Sequence, residues 1–374
     1  MPADLLDAAR NRTGLDDFGD GSFRDGLDVL VRSATQEARL NAAGEGFLYP
    51  RLVGHLSQRL QVEEWYRRHP EIAEVDLGEP LIGVGLPRTG STALSFLLAQ
   101  DTGARSLLQY EATQPCPPPS TVRGHDPRIG ETEHSGQVGT RSHVPSSVTG
   151  PIECQDLMAL DFKSHIFQAF AQIPSYSDWL VDADLSPTYA YERRVLKLLQ
   201  WGCPSKPWRL KCPTHLLFLD HLDTAFPDAR FVMTHRDPTD VIPSVTAVYA
   251  DIVGSFTDHV DLAYLTRLNV EHWSLAMKRA LAFRDAGADH RFYDIGFRAM
   301  QADPVGEVTA LYAWLGKQVT PGFAAGMQEW WAQNAENREP ADVNDPARSG
   351  LDLDAVKPRF AEYVARMERW TDGD

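Results

Sequence analysis

The feature that most limits what this chain can fold into is the stretch Pro80 to Gln100, PLIGVGLPRTGSTALSFLLAQ. It opens with a short apolar run, Leu81, Ile82 and Val84, passes through a turn holding Gly85, Pro87 and Gly90, and enters an apolar helical segment near Ser91. Strand, glycine loop and helix in immediate succession aim backbone N–H groups and a helix N-terminus at one point, which suits a phosphate-like anion.

The wording of the loop narrows the chemistry. GLPRTGST has the length of a Walker A loop, with two glycines five positions apart and a terminal Ser-Thr, but Ser91 stands where that motif has its lysine. The only cation is Arg88. Its guanidinium is a flat fork of donors matched to phosphate or sulfuryl oxygens and stays protonated at physiological pH. Glycine turns of this type also occur without a ligand, so the rest of the chain has to decide.

Further strands are expected at Ala104–Tyr110, Trp208–Lys211, Ala229–Thr234 and Arg291–Ile295, with helical periodicity between them. That alternation predicts an α/β fold, a P-loop-like three-layer sandwich with a central, mostly parallel sheet flanked by helices. Helical spacing over 24–43 and 48–66 marks residues 1–78 as an N-terminal helical appendage packed on a main domain spanning 79–374. Single helices are expected over 151–170 and 354–370. Two polar stretches, 113–150 and 334–350, read as loops covering a bound molecule.

Composition removes whole classes of function. A formal charge of −16 argues against a nucleic-acid partner. No apolar run reaches membrane-spanning length, and the acidic start of the chain lacks a secretion signal, so a cytoplasmic protein is expected. Cys116, Cys154, Cys203 and Cys212 show no metal-like spacing and read as reduced thiols.

A second motif completes the pattern. HRDPTDVIPS places Arg236 at the exit of an apolar run and Ser244 eight positions on. With GLPRTGST, and with the blocks IECQDL, LKCPTHLLFLDHL and RFYDI, the chain resembles the bacterial branch of sulfotransferases that use PAPS (3′-phosphoadenosine 5′-phosphosulfate). The resemblance covers about residues 14–315. It implies that Pro87, Arg88, Thr89, Gly90, Ser91 and Thr92 hold the 5′-phosphosulfate, that Arg236 and Ser244 grip the 3′-phosphate, and that Tyr293 lies by the adenine. It also implies that Arg88 and Lys211 stabilise charge on the leaving oxygen, that Glu111 or else His215 is the general base, and that Arg338 or Arg348 closes over the cofactor. The expected reaction is sulfuryl transfer from PAPS to a hydroxyl, less often an amine, of a small molecule, lipid or carbohydrate, with no metal. Subunit number stays open, a homodimer included. The rival readings are a nucleotide kinase or NTPase of the same fold, against which count the missing lysine and the missing carboxylate in FVMTH, and a non-catalytic nucleotide binder.

Overall fold

The structure, a computed structural model, describes residues 2–134, 147–335 and 351–371. Five strands, β1 (Leu81–Gly85), β2 (Arg105–Ser106), β3 (Trp208–Lys211), β4 (Arg230–His235) and β5 (Phe292–Gly296), form one parallel sheet in the order β2-β3-β1-β4-β5. All five residues of β1 are buried. Helices cover both faces, which is why β1 and β4 read as continuous apolar runs rather than as alternating ones. Strand parity divides the interior: Ile82, Val84, Phe231 and Met233 join a large core on one face, while Leu81, Val232 and Ile295 join a smaller one on the other.

The N-terminal helices α1 (Pro2–Thr13), α2 (Phe23–Gln36) and α3 (Ala42–Arg68) contribute Leu6, Leu27, Leu30, Leu52, Leu56 and Leu60 to the same large core that holds Ile82 and Val84. Arg59, fully buried on α3, donates to the carbonyls of Phe18, Leu160 and Asp20 at 2.7, 3.3 and 3.2 Å, and lies 3.5 Å from Asp161. A single side chain thus ties the leader to the body. α3 begins six residues before the expected Leu48 because Asn41 accepts from the Gly44 amide at 2.9 Å, an N-cap preceding the first apolar residue of the stripe.

Downstream, α4 (Ser91–Leu98) follows β1, and β2 is shorter than expected because α5 (Gln109–Thr113) begins almost at once. Next come α6 (Pro127–His134), α7 (Gln155–Met158), α8 (Ile166–Phe170), α9 (Pro174–Leu180) and α10 (Ser186–Gln200). The continuous helix expected over 151–170 is therefore two short ones, broken where Phe162 adopts φ +55. After β3 and a 3-10 turn at Pro213–Leu217 comes α11 (Leu219–Ala225), and after β4 come α12 (Pro238–Val253) and α13 (Leu262–Phe283). α14 (Phe297–Ala302) leaves β5 directly. The helix expected over 354–370 is likewise a series of short turns, from Leu353–Val356 to Glu368–Thr371. The order of the strands reverses at β1: β2 and β3 extend the sheet to one side and β4 and β5 to the other. In such sheets the crevice beyond the C-terminal strand ends at the reversal is where ligands sit.

Candidate active site

The loop after β1 is built under constraint. Gly85 has φ +134, and a Cβ there would lie 2.5 Å from the Thr234 carbonyl oxygen on β4. Gly90 has φ +85 and abuts Met300 and Phe297 of α14, a Cβ meeting them at 2.4 and 3.2 Å. Between them Arg88 holds φ +64, a left-handed conformation that costs a non-glycine residue about 1 kcal/mol and persists only where surroundings enforce it. One enforcing contact is Thr89, whose buried hydroxyl bonds to the Leu86 carbonyl at 2.7 Å and meets the Thr234 hydroxyl at 2.6 Å. Thr89 therefore stiffens the loop from below and offers a ligand its amide rather than its side chain. Ser91 is buried and Thr92 half-buried at the start of α4.

The exit of β4 folds against this loop. Asp237 accepts from the Thr239 amide at 2.7 Å and Pro238 takes the first helical position, so α12 starts at once and brings Ser244 back toward β1. Arg88 Nε donates to Ser244 Oγ at 3.1 Å, and Arg236 Nη1 donates to the Arg88 carbonyl at 3.2 Å. The two arginines singled out by their motifs form one contiguous cationic cluster. Burial, and after it the neighbouring charge of Arg236, pulls the pKa of Arg88 below its ordinary value. Among the described residues no carboxylate pairs with Arg88. Arg236 keeps 23% exposure and pairs with Asp240 at 3.4 Å, so Arg88 is the buried cation of the two, and without a carboxylate partner it favours an anion.

A third group completes the site. Lys211, at the C-terminal end of β3, donates through Nζ to Thr92 Oγ1 at 3.2 Å and to Glu153 Oε1 at 2.7 Å. Its ammonium is almost buried, while the Glu153 side chain keeps 30% exposure. The amide of Cys154 bonds to the Lys211 carbonyl at 3.1 Å, and Leu108 bridges to Pro151, so residues 151–154 lie along the end of β3. Glu153 is the carboxylate beside the loop; it stands in the block IECQDL, where no turn chemistry or spacing in the chain marks it out.

The two expected bases are both engaged in the interior. Glu111 Oε1 accepts from Arg105 at 2.7 Å and Oε2 from the Leu108 amide at 3.4 Å, so the carboxylate faces inward and fastens α5 to β2. Burial pushes its pKa up against the pull of Arg105. His215 is fully buried, its Nδ1 lies 3.0 Å from the Tyr189 hydroxyl, and burial lowers its pKa to about 3. Tyr293 packs on Trp314 with ring centroids 5.7 Å apart, level with Val232 on β4 and short of the C-terminal strand ends. The aromatic at the cluster is instead Phe297, just past β5, with the Arg236 guanidinium 4.5 Å from its ring centre. Arg338 and Arg348, with most of the expected covering loop at 334–350, lie outside the described residues, as does His143 of the first loop.

A strained glycine loop at the reversal point of a parallel sheet, answered by two arginines and a buried lysine, defines a protein that handles a group rich in anionic oxygens. Residues 80–321 match the Sulfotransferase family, and the chain belongs to it. Over its whole length the structure is similar to sulfotransferase STF9 from Mycobacterium avium, with 31% identity, 97% of this chain and 96% of that one covered, and a TM-score of 0.89. It is also similar to sulfotransferase STF1 from Mycobacterium tuberculosis H37Rv, with 28% identity, coverage of 96% and 98%, and a TM-score of 0.84. No curated protein matches the sequence.

Proposed function

We propose that the protein moves the sulfuryl group of PAPS to a hydroxyl of a small-molecule, lipid or carbohydrate acceptor, yielding a sulfate ester and adenosine 3′,5′-bisphosphate without a metal in the transfer step. The observation that carries this reading is the junction at Arg88, whose guanidinium donates to Ser244 and whose carbonyl accepts from Arg236, beside Lys211 and Thr92. PAPS, when bound, supplies an activated sulfuryl group on a phosphate leaving group. Arg236 and Ser244 hold its 3′-phosphate, and the amides of residues 88–92 hold its 5′ end. Lys211 and Arg88 face the oxygen on which negative charge accumulates, and donors fixed in advance at that point lower the barrier. Glu153, rather than Glu111 or His215, takes the acceptor proton, because it alone of the three touches Lys211 and retains access to solvent. Phe297 offers the adenine a ring where Tyr293 does not.

The same site disfavours phosphoryl transfer. A kinase needs a strand-end carboxylate for Mg²⁺. Here β4 ends in His235 and Arg236, and Asp237 is committed to capping α12. No helix among the described residues is long and apolar enough to cross a membrane, and we read the enzyme as cytoplasmic from its unpaired thiols.

Thermal unfolding with adenosine 3′,5′-bisphosphate, compared with ATP plus Mg²⁺, tests the donor. At a hundred times its dissociation constant a ligand of the folded state adds about 2.7 kcal/mol. The bisphosphate should raise the melting temperature and ATP with Mg²⁺ should not. The reverse order removes this reading. Incubation of a cell extract with enzyme and isotopically labelled PAPS, followed by mass spectrometry for sulfate-sized gains, identifies the acceptor; bisphosphate binding without any such gain makes the protein a non-catalytic binder.

A further inference from the structure

Beside the proposed reaction centre lies a second cluster that sulfuryl transfer does not use. Cys154 in the turn before α7, Glu192 in the middle of α10 and His215 in the turn after β3 converge so that a thiol sulfur, a carboxylate oxygen and an imidazole nitrogen all lie within 4.8 Å of one another. All three residues are fully buried. No oxygen or nitrogen donor reaches either Glu192 carboxyl oxygen or His215 Nε2, and the one group paired with Glu192 is the Cys154 thiol of the cluster itself. A thiol is a weak donor and a poor replacement for water around a buried carboxyl. Three sets of facing lone pairs are what a ligand set looks like without its ion.

The other nitrogen of His215 supports this. Its Nδ1 is 3.0 Å from the Tyr189 hydroxyl, so a proton on Nδ1 donates to that oxygen and leaves the Nε2 lone pair turned to the cluster. A metal-bound imidazole is usually oriented in this way by a partner on its free nitrogen. The charge also closes. A thiol and a carboxylic acid each give up one proton on binding a cation. A dication releasing those two protons leaves a thiolate, a carboxylate, a neutral imidazole and no net charge, with no change of oxidation state.

We propose that Cys154, Glu192 and His215 bind one divalent transition-metal ion, zinc by ligand type, as a structural site. Sulfur and imidazole together select zinc over magnesium or calcium; three protein atoms fill three of its four positions and leave one for a water, and full burial keeps the ion away from substrate. Cys154 follows Glu153 directly in the chain, and its amide is bonded to Lys211, so the ion fastens α7, α10 and the exit of β3 behind the Lys211–Glu153 pair. The inference stands apart from the donor assignment, since it is read from metal content alone.

The whole chain, produced in zinc-supplemented medium and freed of loose metal by gel filtration, should carry about one equivalent of zinc by plasma mass spectrometry. Cys154→Ala and Glu192→Gln should each drop it several-fold, while Cys203→Ala, at a half-exposed thiol away from the cluster, should leave it intact. Protein made with cobalt(II) instead should show a thiolate-to-cobalt charge-transfer band that Cys203→Ala keeps. Wild-type protein that folds cooperatively with under about a tenth of an equivalent of metal and no thiolate band overturns the proposal, whether or not the variants fold. So does full retention of zinc by both Cys154→Ala and Glu192→Gln, and the cluster is then held together by the protons alone.

Discussion

Replacing Glu153 with Gln, beside Glu111→Gln as its counterpart, separates the two carboxylates by the kind of damage each does. Glu153 pairs with Lys211 at 2.7 Å and keeps 30% of its side chain exposed, while Lys211 keeps 6% and retains its bond to Thr92, so solvent screens the pair in part and its loss costs about 1–2 kcal/mol of stability. Loss of a general base lowers turnover by about 10²–10⁴-fold, which corresponds to roughly 3–5 kcal/mol of barrier. The expectation for Glu153→Gln is therefore a melting curve near that of the parent, affinity for adenosine 3′,5′-bisphosphate within about threefold, and turnover down by orders of magnitude. Glu111 differs in its surroundings. Its side chain is 3% exposed and accepts from Arg105 at 2.7 Å, so Glu111→Gln takes a charge from a largely enclosed pair whose guanidinium keeps its bond to the Leu199 carbonyl, and costs about 1–3 kcal/mol of stability. Wherever that variant stays folded, its turnover should hold within a few-fold. Calorimetric titration with the bisphosphate, thermal melts and timed mass-spectrometric assay of sulfated product supply the three readouts. A Glu153→Gln enzyme with near-parental turnover, or a folded Glu111→Gln enzyme that has lost it, refutes the assignment.

Other outcomes follow from the same coordinates. Arg236→Met should weaken adenosine 3′,5′-bisphosphate by at least about tenfold, the loss of a charge-assisted contact, and adenosine 5′-phosphate far less; equal losses on titration would separate Arg236 from the 3′-phosphate. Gly90→Ala, at φ +85 and against Met300, should cost about 1–2 kcal/mol in urea unfolding and weaken the bisphosphate, and an unchanged midpoint would show the loop to be relaxed. Burial depresses His215 to about 3 and His272 to about 4, against about 6.5 in an unfolded chain, so the unfolded state binds the extra protons. Their contribution is complete above about pH 6.5 and is lost as pH falls toward those values, each by up to about 1.4 kcal/mol per unit. Urea midpoints should fall between pH 7 and pH 5, and a rise would reverse the sign argued here.

What the chain discloses on inspection depends on how locally each feature is encoded. β1, β3, β4 and β5 were legible because strands buried on both faces are unbroken apolar runs, and the glycine loop because its conformation admits few residues. The meeting of Arg88, Arg236 and Ser244 could be anticipated, since each sits in a motif with its own turn chemistry. Glu153 could not, because its meaning lies in a contact with Lys211 across 58 positions that only the end of β3 brings about. Tyr293 and Phe297 are separated by strand register: the former is level with Val232 and packs on Trp314, while the latter begins α14 beside Arg236. Phe162 in a left-handed conformation was likewise invisible in the helical spacing around it.

The hydrophobic interior runs unbroken from Leu6 through Val84 to Met367, whereas the region matched to the Sulfotransferase family spans only residues 80–321. Anyone trimming the gene to the matched region would cut through that interior, bare the leucine faces on which α3 rests, and remove Arg59, whose partners Leu160 and Asp161 would be left behind without their guanidinium. Such a shortened polypeptide should collect in inclusion bodies: the stretch that bears the glycine loop does not carry its own foundation.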